Sequence, residues 1–144
     1  MNSDLPRKHI VVVAAVIAAG REVLCVQRPP HTRDYISSKW EFPGGKVEPG
    51  ESYAAALVRE IHEELALSIA VHDPITTVTH VYPDFDLTMH VYACTTPAPE
   101  ALELREHQAH AWLRPDDAAF AALDWAAADL PVVEHIKSHA FAER

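Results

Sequence analysis

The sequence predicts an α/β fold built as one domain. Short β-prone runs rich in valine, isoleucine and threonine alternate with three stretches of helical character, a mixture typical of the α/β class. The chain has 144 residues, 49% of them hydrophobic, which suffices for one proper core and is too little for two ordinary domains. We therefore interpret residues 1–144 as a single domain.

The N-terminal third is dominated by β-prone residues. Residues 10–18 are mainly valine, isoleucine and alanine, and a turn at 19–21 leads to a second β-prone run at 22–27, so the pair is predicted to form a hairpin. Residues 28–39 are polar and contain two prolines, which predicts a surface loop. Residues 40–42 are predicted to form a brief strand that runs into Pro-Gly-Gly.

A helix is predicted after a glycine-rich loop. Three of the four glycines, Gly44, Gly45 and Gly50, fall within seven residues and concentrate backbone freedom there. Ser52 can cap a helix that runs to about Leu65. An apolar stripe at helical spacing comprises Ala54, Leu57, Val58, Ile61 and Leu65.

The C-terminal half alternates strands and helices. Residues 75–81 and 86–95 are β-prone and are separated by Tyr-Pro-Asp-Phe, which predicts a long hairpin. Another short strand is predicted at 109–113. Two helices with proline in the first turn are predicted over 115–123 and 130–141.

The charge of the chain limits its partners. A formal net charge of -9, from 21 acidic and 12 basic residues, argues against a nucleic-acid polymer or an anionic membrane held by bulk attraction. A bound phosphate would need local basic groups or a divalent cation. We expect a small-molecule ligand and a monomer or homodimer.

No apolar run approaches the roughly eighteen residues of a membrane span. The apolar run at 10–19 follows Arg7 and Lys8, so a signal-peptide core is an alternative to a strand, but a second strand-like segment follows it where a cleavage site would be needed. We therefore expect a cytoplasmic protein. Cys25 and Cys94 lie in apolar runs, which predicts buried thiols and does not indicate a disulfide scaffold.

Three glutamates crowd one side of the predicted helix. At 100° per residue, Glu60, Glu63 and Glu64 share a face opposite the apolar stripe. Like charges at i, i+4 cost roughly 0.2 to 0.5 kcal/mol per pair, and Arg59 is the only basic neighbour. Hard oxygen ligands that converge suit Mg²⁺ or Mn²⁺. Spacing alone leaves two interpretations open, a solvated acidic face and a metal site.

The same segment resembles the Nudix box, in which a glycine, a glutamate and a cluster of helical glutamates recur at fixed spacing. With this many fixed positions a chance match is remote. The positions in register are Gly45, Glu51, Arg59, Glu60, Ile61, Glu63, Glu64 and Leu67. Ala66 departs from the pattern, which has glycine there, and we expect a modified helix cap with activity intact.

The resemblance implies a mixed sheet between helices, with the box forming a loop, a helix and a second loop. It implies that the carbonyl of Gly44 and the carboxylates of Glu60, Glu63 and Glu64 hold divalent cations. Glu60 would also orient or deprotonate the attacking water, and Arg59 would position Glu60 by a charge-assisted hydrogen bond.

Segments outside the box resemble MutT-type and CTP pyrophosphohydrolase-type members, namely residues 40–45, 106–112 and 129–133. This resemblance implies a further metal- or water-binding carboxylate at Glu106. Asp129 would read the base, and an ionised aspartate accepts hydrogen bonds only, which favours an amino group such as N4 of cytosine. A protonated or suitably placed aspartate could instead serve a purine such as that of 8-oxo-dGTP, and helix capping is a further alternative for Asp129. The full set of candidate substrate-contacting residues is Arg28, Phe42, Gly45, Tyr82, Phe85, Leu87 and Asp129.

The function expected from the resemblance is Mg²⁺-dependent hydrolysis of a nucleoside triphosphate, such as CTP, a modified dCTP or 8-oxo-dGTP, to the monophosphate and pyrophosphate. One alternative is a nucleotide sugar or a dinucleoside polyphosphate as substrate. Another is a non-catalytic nucleotide-binding module, although such modules usually lose box glutamates that are all present here. The ten histidines show no ligand pattern and are interpreted as structural or exposed.

Overall fold

The computed structural model describes residues 7–138, which form seven strands, three α-helices and two single 3₁₀ turns. The strands are β1 (Lys8–Ala19), β2 (Glu22–Gln27), β3 (Trp40–Glu41), β4 (Gly44–Lys46), β5 (Ala70–Val81), β6 (Phe85–Thr95) and β7 (Ala109–Leu113). The helices are α1 (Tyr53–Leu65), α2 (Ala118–Ala122) and α3 (Leu130–Ser138). The 3₁₀ turns are Pro99–Ala101 and Ala127–Asp129. Within residues 7–138, no helix is long and apolar enough to cross a membrane.

The strands form one mixed sheet, as predicted. Its order is β3-β2-β1-β6-β5, with β4 paired to β1 and β7 paired to β2. The central pair, β1 and β6, is parallel from Lys8↔Phe85 to Ala18↔Thr95, and the other pairs are antiparallel. A parallel pair needs a long crossover, and here the connection between β1 and β6 contains α1.

Alternate residues of β1 face opposite helices, because side chains on a strand alternate between the two faces of the sheet. Val13, Ala15 and Ile17 pack with Leu57, Ile61 and Leu65 of α1. Ala14 and Val16 pack with Val132, Val133 and Ile136 of α3. The sheet therefore lies between helices, as predicted, and both Cys25 and Cys94 are buried thiols in its core.

Helix α1 begins and ends where the sequence predicts. The side chain of Ser52 accepts a hydrogen bond from the backbone N–H of Ala55 at 3.0 Å. The expected modified cap at the other end is wrong, because Ala66 adopts the left-handed conformation itself, with φ 57° and ψ 25°. Its N–H donates to the carbonyl of His62 at 3.0 Å. Alanine in this conformation costs about 1 to 2 kcal/mol.

Three elements differ from the prediction by more than two residues. Residues Gly44–Lys46, predicted as loop, form β4, because Gly44 has no Cβ and can lie against β1; a Cβ there would be 1.9 Å from the carbonyl oxygen of Val13. Strand β5 begins at Ala70 rather than 75, since the edge of the sheet tolerates the irregularity at Pro74. The third difference is α2, which begins at Ala118 after capping by Asp117. The predicted residues 139–141 of the last helix lie outside the described residues.

We predict that Ala66→Gly stabilises the protein. Glycine occupies the left-handed region without the steric cost of Cβ, so the free energy of unfolding should rise by about 1 kcal/mol, or about 2 to 4 °C in Tm. Urea and thermal unfolding would measure it. Ala54→Gly, at an exposed position inside α1, is the matched control and should destabilise by a similar amount. A loss of stability in Ala66→Gly would contradict the prediction.

Candidate active site

Arg59 joins the glycine-rich loop to helix α1. Its Nε and Nη2 donate to the two carboxylate oxygens of Glu51 at 2.7 and 2.9 Å, a bidentate pair. Nη1 donates to Glu60 Oε1 at 2.9 Å, and Nη2 donates to the carbonyl of Lys46 at 3.1 Å. The hydrogen bond from Arg59 lowers the pKa of Glu51 from 4.5 to about 2. Arg59 is thus placed where the resemblance implies, beside Glu60.

The absence of a side chain at Gly45 leaves space for the carboxylate of Glu60. A Cβ at position 45 would be 2.4 Å from the Glu60 carboxyl carbon, so the loop can approach the helix this closely only without a side chain. Burial raises the pKa of Glu60, while the hydrogen bond from Arg59 works in the opposite direction. Glu60 is consequently a well-fixed carboxylate of increased basicity.

Glu64 lies beside Glu106, from a different part of the chain. The loop that carries Glu106 is fixed to the end of α1, because the N–H groups of Glu103 and Arg105 donate to the carbonyls of Leu65 and Glu64 at 2.9 and 3.1 Å. Burial, followed by the hydrogen bond with Glu106, raises the pKa of Glu64 from 4.5 to about 9.

The two carboxylates fit a cation. Glu64 Oε2 is buried and has no hydrogen-bond partner in the described part of the chain. Two carboxyl groups held together need a proton or a cation between them, since like charges at this distance repel. Oxygen donors of this kind suit a hard divalent cation such as Mg²⁺.

Glu63 stands apart from this pair. Its side chain is 58% exposed and contacts Arg59 Nη1 at 3.4 Å. Across residues 7–138, no three histidine, cysteine or acidic side chains already converge as a set of metal ligands. The structure therefore brings Glu64 and Glu106 together and places Glu60 beside Arg59, while Glu63 extends towards solvent.

A cavity of about 620 Å³ opens next to these carboxylates. Gly44, Gly45, Glu64 and Glu106 line one part of it. Each predicted substrate-contacting residue also lines it, namely Arg28, Phe42, Gly45, Tyr82, Phe85, Leu87 and Asp129. Phe42 and Tyr82 are 3% and 7% exposed, so each has a packing role as well. The cavity joins an apolar, aromatic part to a carboxylate-rich part.

Asp129 is the only buried charged residue in the part of the chain that the structure describes. Its Oδ1 accepts a hydrogen bond from the backbone N–H of Phe42 at 3.0 Å. Phe42 is far away in the sequence and outside the helix that Asp129 would cap, so this hydrogen bond is not a helix cap. Burial raises the pKa of Asp129 well above its usual range. A carboxyl group that keeps its proton donates as well as accepts, so the ionised and the protonated form of Asp129 offer different base contacts.

Two cavity residues were missed in the sequence. Glu41 accepts hydrogen bonds from Arg28 Nη1 at 3.3 Å and bonds to His107 Nε2 at 3.0 Å. The side chain of His107 is only 5% exposed and lines the cavity, whereas the histidines were interpreted as structural or exposed. Their positions held a usable hint, because Glu41 precedes Phe42 and His107 follows Glu106.

Comparison with known proteins identifies the family. The family model of the NUDIX domain matches residues 7–136. The chain belongs to the Nudix family. Divalent cations are the general cofactors of Nudix hydrolases, in agreement with the paired carboxylates of Glu64 and Glu106.

The Nudix relatives include hydrolases of nucleoside triphosphates. The chain is 38% identical over 128 residues to the CTP pyrophosphohydrolase of Escherichia coli (strain K12), covering 88% of this chain and 90% of that protein. It is 33% identical over 92 residues to the 8-oxo-dGTP diphosphatase of Proteus vulgaris, covering 63% and 80%. The solution structure of the Escherichia coli ORF135 protein matches with a TM-score of 0.74 at 33% identity, covering 95% and 96%. The protein is a hydrolase that acts on phosphoanhydride bonds.

We predict that Glu64→Gln stabilises the metal-free Nudix protein at alkaline pH. The pKa of Glu64 is raised in the folded state from 4.5 to about 9, so its contribution to stability is present below about pH 4.5 and is lost as the pH rises towards 9. Glutamine removes that loss. Melting in EDTA between about pH 5 and pH 9 should therefore show a shallower decline in Tm for the variant.

Glu63→Gln is the matched control for this experiment, since its side chain is mostly exposed on the same helix. It should follow the pH dependence of the unmodified protein. Equal slopes for all three proteins would contradict the prediction.

Proposed function

We propose that this Nudix hydrolase converts a nucleoside triphosphate and water to the monophosphate and pyrophosphate, with Mg²⁺ as cofactor and a cytosine nucleotide, CTP or a modified dCTP, as preferred substrate. The observation that carries the proposal is one cavity in which an aromatic part containing Asp129 adjoins a carboxylate-rich part containing Glu64 and Glu106. A nucleoside triphosphate has the same two chemical halves.

The cation ligands are the carbonyl of Gly44 and the carboxylates of Glu60, Glu63, Glu64 and Glu106. When bound, Mg²⁺, or Mn²⁺ as the alternative hard cation, neutralises phosphate charge and stabilises the charge that develops on the phosphate oxygens. The side chain of Glu63 is 58% exposed and has a 3.4 Å contact with Arg59 Nη1, an exposed i, i+4 pair that is weak enough for Glu63 to rotate towards the other carboxylates.

Glu60 orients the attacking water and takes its proton. Arg59 holds Glu60 Oε1, which leaves the other carboxylate oxygen for the water. Burial raises the pKa of Glu60 and so makes its carboxylate a stronger base. Arg28, whose Nε is buried without a partner in the described chain, donates to a phosphate oxygen.

Asp129 selects the base as a neutral acid. Its hydroxyl donates and its other oxygen accepts, which matches the N3 acceptor and N4 amino donor of cytosine side by side. Aromatic and aliphatic side chains, Phe42, Tyr82, Phe85 and Leu87, enclose the base. The likeness to a CTP pyrophosphohydrolase supports cytosine.

8-oxo-dGTP is the second candidate. Its base also presents an acceptor next to a donor, at O6 and N1, and the Proteus vulgaris relative is named for that substrate. The nucleotide-sugar and dinucleoside-polyphosphate alternatives lack a comparable supporting observation. The binding-module alternative disagrees with the relatives, which are named as hydrolases.

We predict Mg²⁺-dependent release of pyrophosphate from a panel of CTP, 5-methyl-dCTP, 8-oxo-dGTP, dGTP, ATP, ADP-ribose and a dinucleoside polyphosphate. Pyrophosphate from CTP or 5-methyl-dCTP at the highest kcat/KM is the expected result. Glu64→Gln should lower kcat by at least about 100-fold, because a charged ligand is lost from the reacting centre. Turnover of only the diphosphate-linked compounds would refute the triphosphate assignment.

Two variants, Asp129→Asn and Asp129→Ala, test whether Asp129 recognises the base as a neutral acid. Asparagine keeps one donor, one acceptor and the bond to the N–H of Phe42, so it should retain the base preference within a few-fold. Alanine should lose about 10- to 100-fold in kcat/KM for the preferred base. Both variants should keep the Mg²⁺ requirement.

Circular dichroism of both Asp129 variants controls for folding. An Asp129→Asn variant that loses the preference as fully as Asp129→Ala would refute the neutral-acid role. Unchanged base selectivity in both variants would show that Asp129 takes no part in base recognition.

A further inference from the structure

His107 presents a buried nitrogen that nothing in the described chain satisfies. Its side chain is 5% exposed and lines the cavity, yet Nδ1 has no hydrogen-bond partner. Buried polar atoms are nearly always paired, so an unpaired atom on a residue that lines a cavity points to a group that arrives with a ligand. The hydrolytic roles described above do not use this atom.

Glu41 determines that Nε2 of His107 carries a hydrogen. His107 Nε2 lies 3.0 Å from Glu41 Oε2, and an ionised carboxylate can only accept, so Nε2 carries the hydrogen. In the neutral imidazole, Nδ1 then bears a lone pair and is an acceptor. Glu41 Oε1 also accepts from Arg28 Nη1, which fixes the carboxylate from its other side. The ligand group opposite Nδ1 is therefore a hydrogen-bond donor when the ring is neutral and an acceptor when the ring is protonated.

The location of the pair indicates which part of a nucleotide it meets. Glu41 is followed in the chain by Phe42, whose N–H binds Asp129 in the base part of the cavity. His107 is preceded by Glu106, which bonds to Glu64 in the carboxylate part. The direct contact between Glu41 and His107 therefore lies between base and phosphates, where a nucleotide has its sugar.

We propose that His107 Nδ1 forms a hydrogen bond with a sugar hydroxyl of the bound nucleotide, and that Glu41 is the positioning residue that holds the ring through Nε2. The proposal rests on the function proposed above, because it assumes a nucleoside triphosphate in the cavity. A sugar hydroxyl both donates and accepts, so it can pair with Nδ1 in the neutral ring and in the protonated ring.

The consequence is selectivity for the sugar. A substrate without the hydroxyl leaves Nδ1 desolvated and unpaired, which costs more than the loss of an exposed contact. Sites built to bond a substrate hydroxyl reject the analogue that lacks it. The hydroxyl concerned is either the 2′ group, which separates ribonucleotides from deoxyribonucleotides, or the 3′ group, which both possess.

The test combines changes in substrate and protein. CTP, 2′-deoxy-CTP and 3′-deoxy-CTP are compared at saturating Mg²⁺ with the unmodified protein and with His107→Phe, which keeps a flat ring without nitrogens. The unmodified protein should lose about tenfold or more in kcat/KM with one of the two deoxy analogues. His107→Phe should turn over CTP more slowly and no longer distinguish that analogue from CTP.

Two matched variants locate the effect on one nitrogen. His107→Asn places its amide near the position of Nδ1 and should restore much of the discrimination. His107→Gln places its amide near the position of Nε2 and should not. A merely structural role for His107 would lower kcat/KM for all three substrates by the same factor and leave their ratios unchanged.

Two results would overturn the proposal. These are equal kcat/KM for all three substrates in the unmodified protein, and discrimination that survives in His107→Phe. In each of these cases the hydrolysis itself stands. If the unmodified protein turns over no nucleoside triphosphate at all, the proposed function fails together with the inference.

Discussion

The guanidinium of Arg59 connects the parts of the site that the sheet cannot hold by itself. Strand β4 ends at Lys46, and the loop beyond it returns to α1 through residues that carry no large apolar side chain into the core except Val47. Arg59 joins that loop to the helix by bonding Glu51, Glu60 and the carbonyl of Lys46 at once. Because its side chain is only 24% exposed, these bonds compete less with water than surface ion pairs do.

The same contacts explain why two adjacent glycines are needed. Gly44 lies so close to β1 that a Cβ would overlap the backbone of Val13, and a Cβ on Gly45 would be 2.4 Å from the carboxyl carbon of Glu60. A side chain at the first position would push β4 away from the sheet. At the second position it would displace the carboxylate that Arg59 holds. The close approach of the Gly44–Gly45 backbone and the ion pair between Arg59 and Glu60 therefore depend on each other, because the loop lies between the sheet and the helix.

The predictable parts of this fold are those with local determinants. Helix α1 follows from the Ser52 cap and the apolar stripe, and the glutamate face follows from helical geometry. Strand β4 could not be predicted, since three residues carry no periodicity and their pairing partner is about thirty residues earlier. The position of His107 in the cavity could be predicted only in part. Sequence shows that it follows Glu106, but only the register of β7 against β2 turns it into the cavity beside Glu41.

The polarity of the cavity also explains how an acidic protein can bind a polyanion. Four acidic residues line it, Glu41, Glu64, Glu106 and Asp129, against the basic residues Arg28 and Lys46. Arg28 and His107 occupy the two oxygens of Glu41, and burial keeps Asp129 towards its neutral form. The remaining acidic groups are Glu64 and Glu106, which share a proton until a divalent cation replaces it. The negative charge that would repel a triphosphate is thereby neutralised near the base. The Glu64–Glu106 pair is where a bound cation can attract the phosphates.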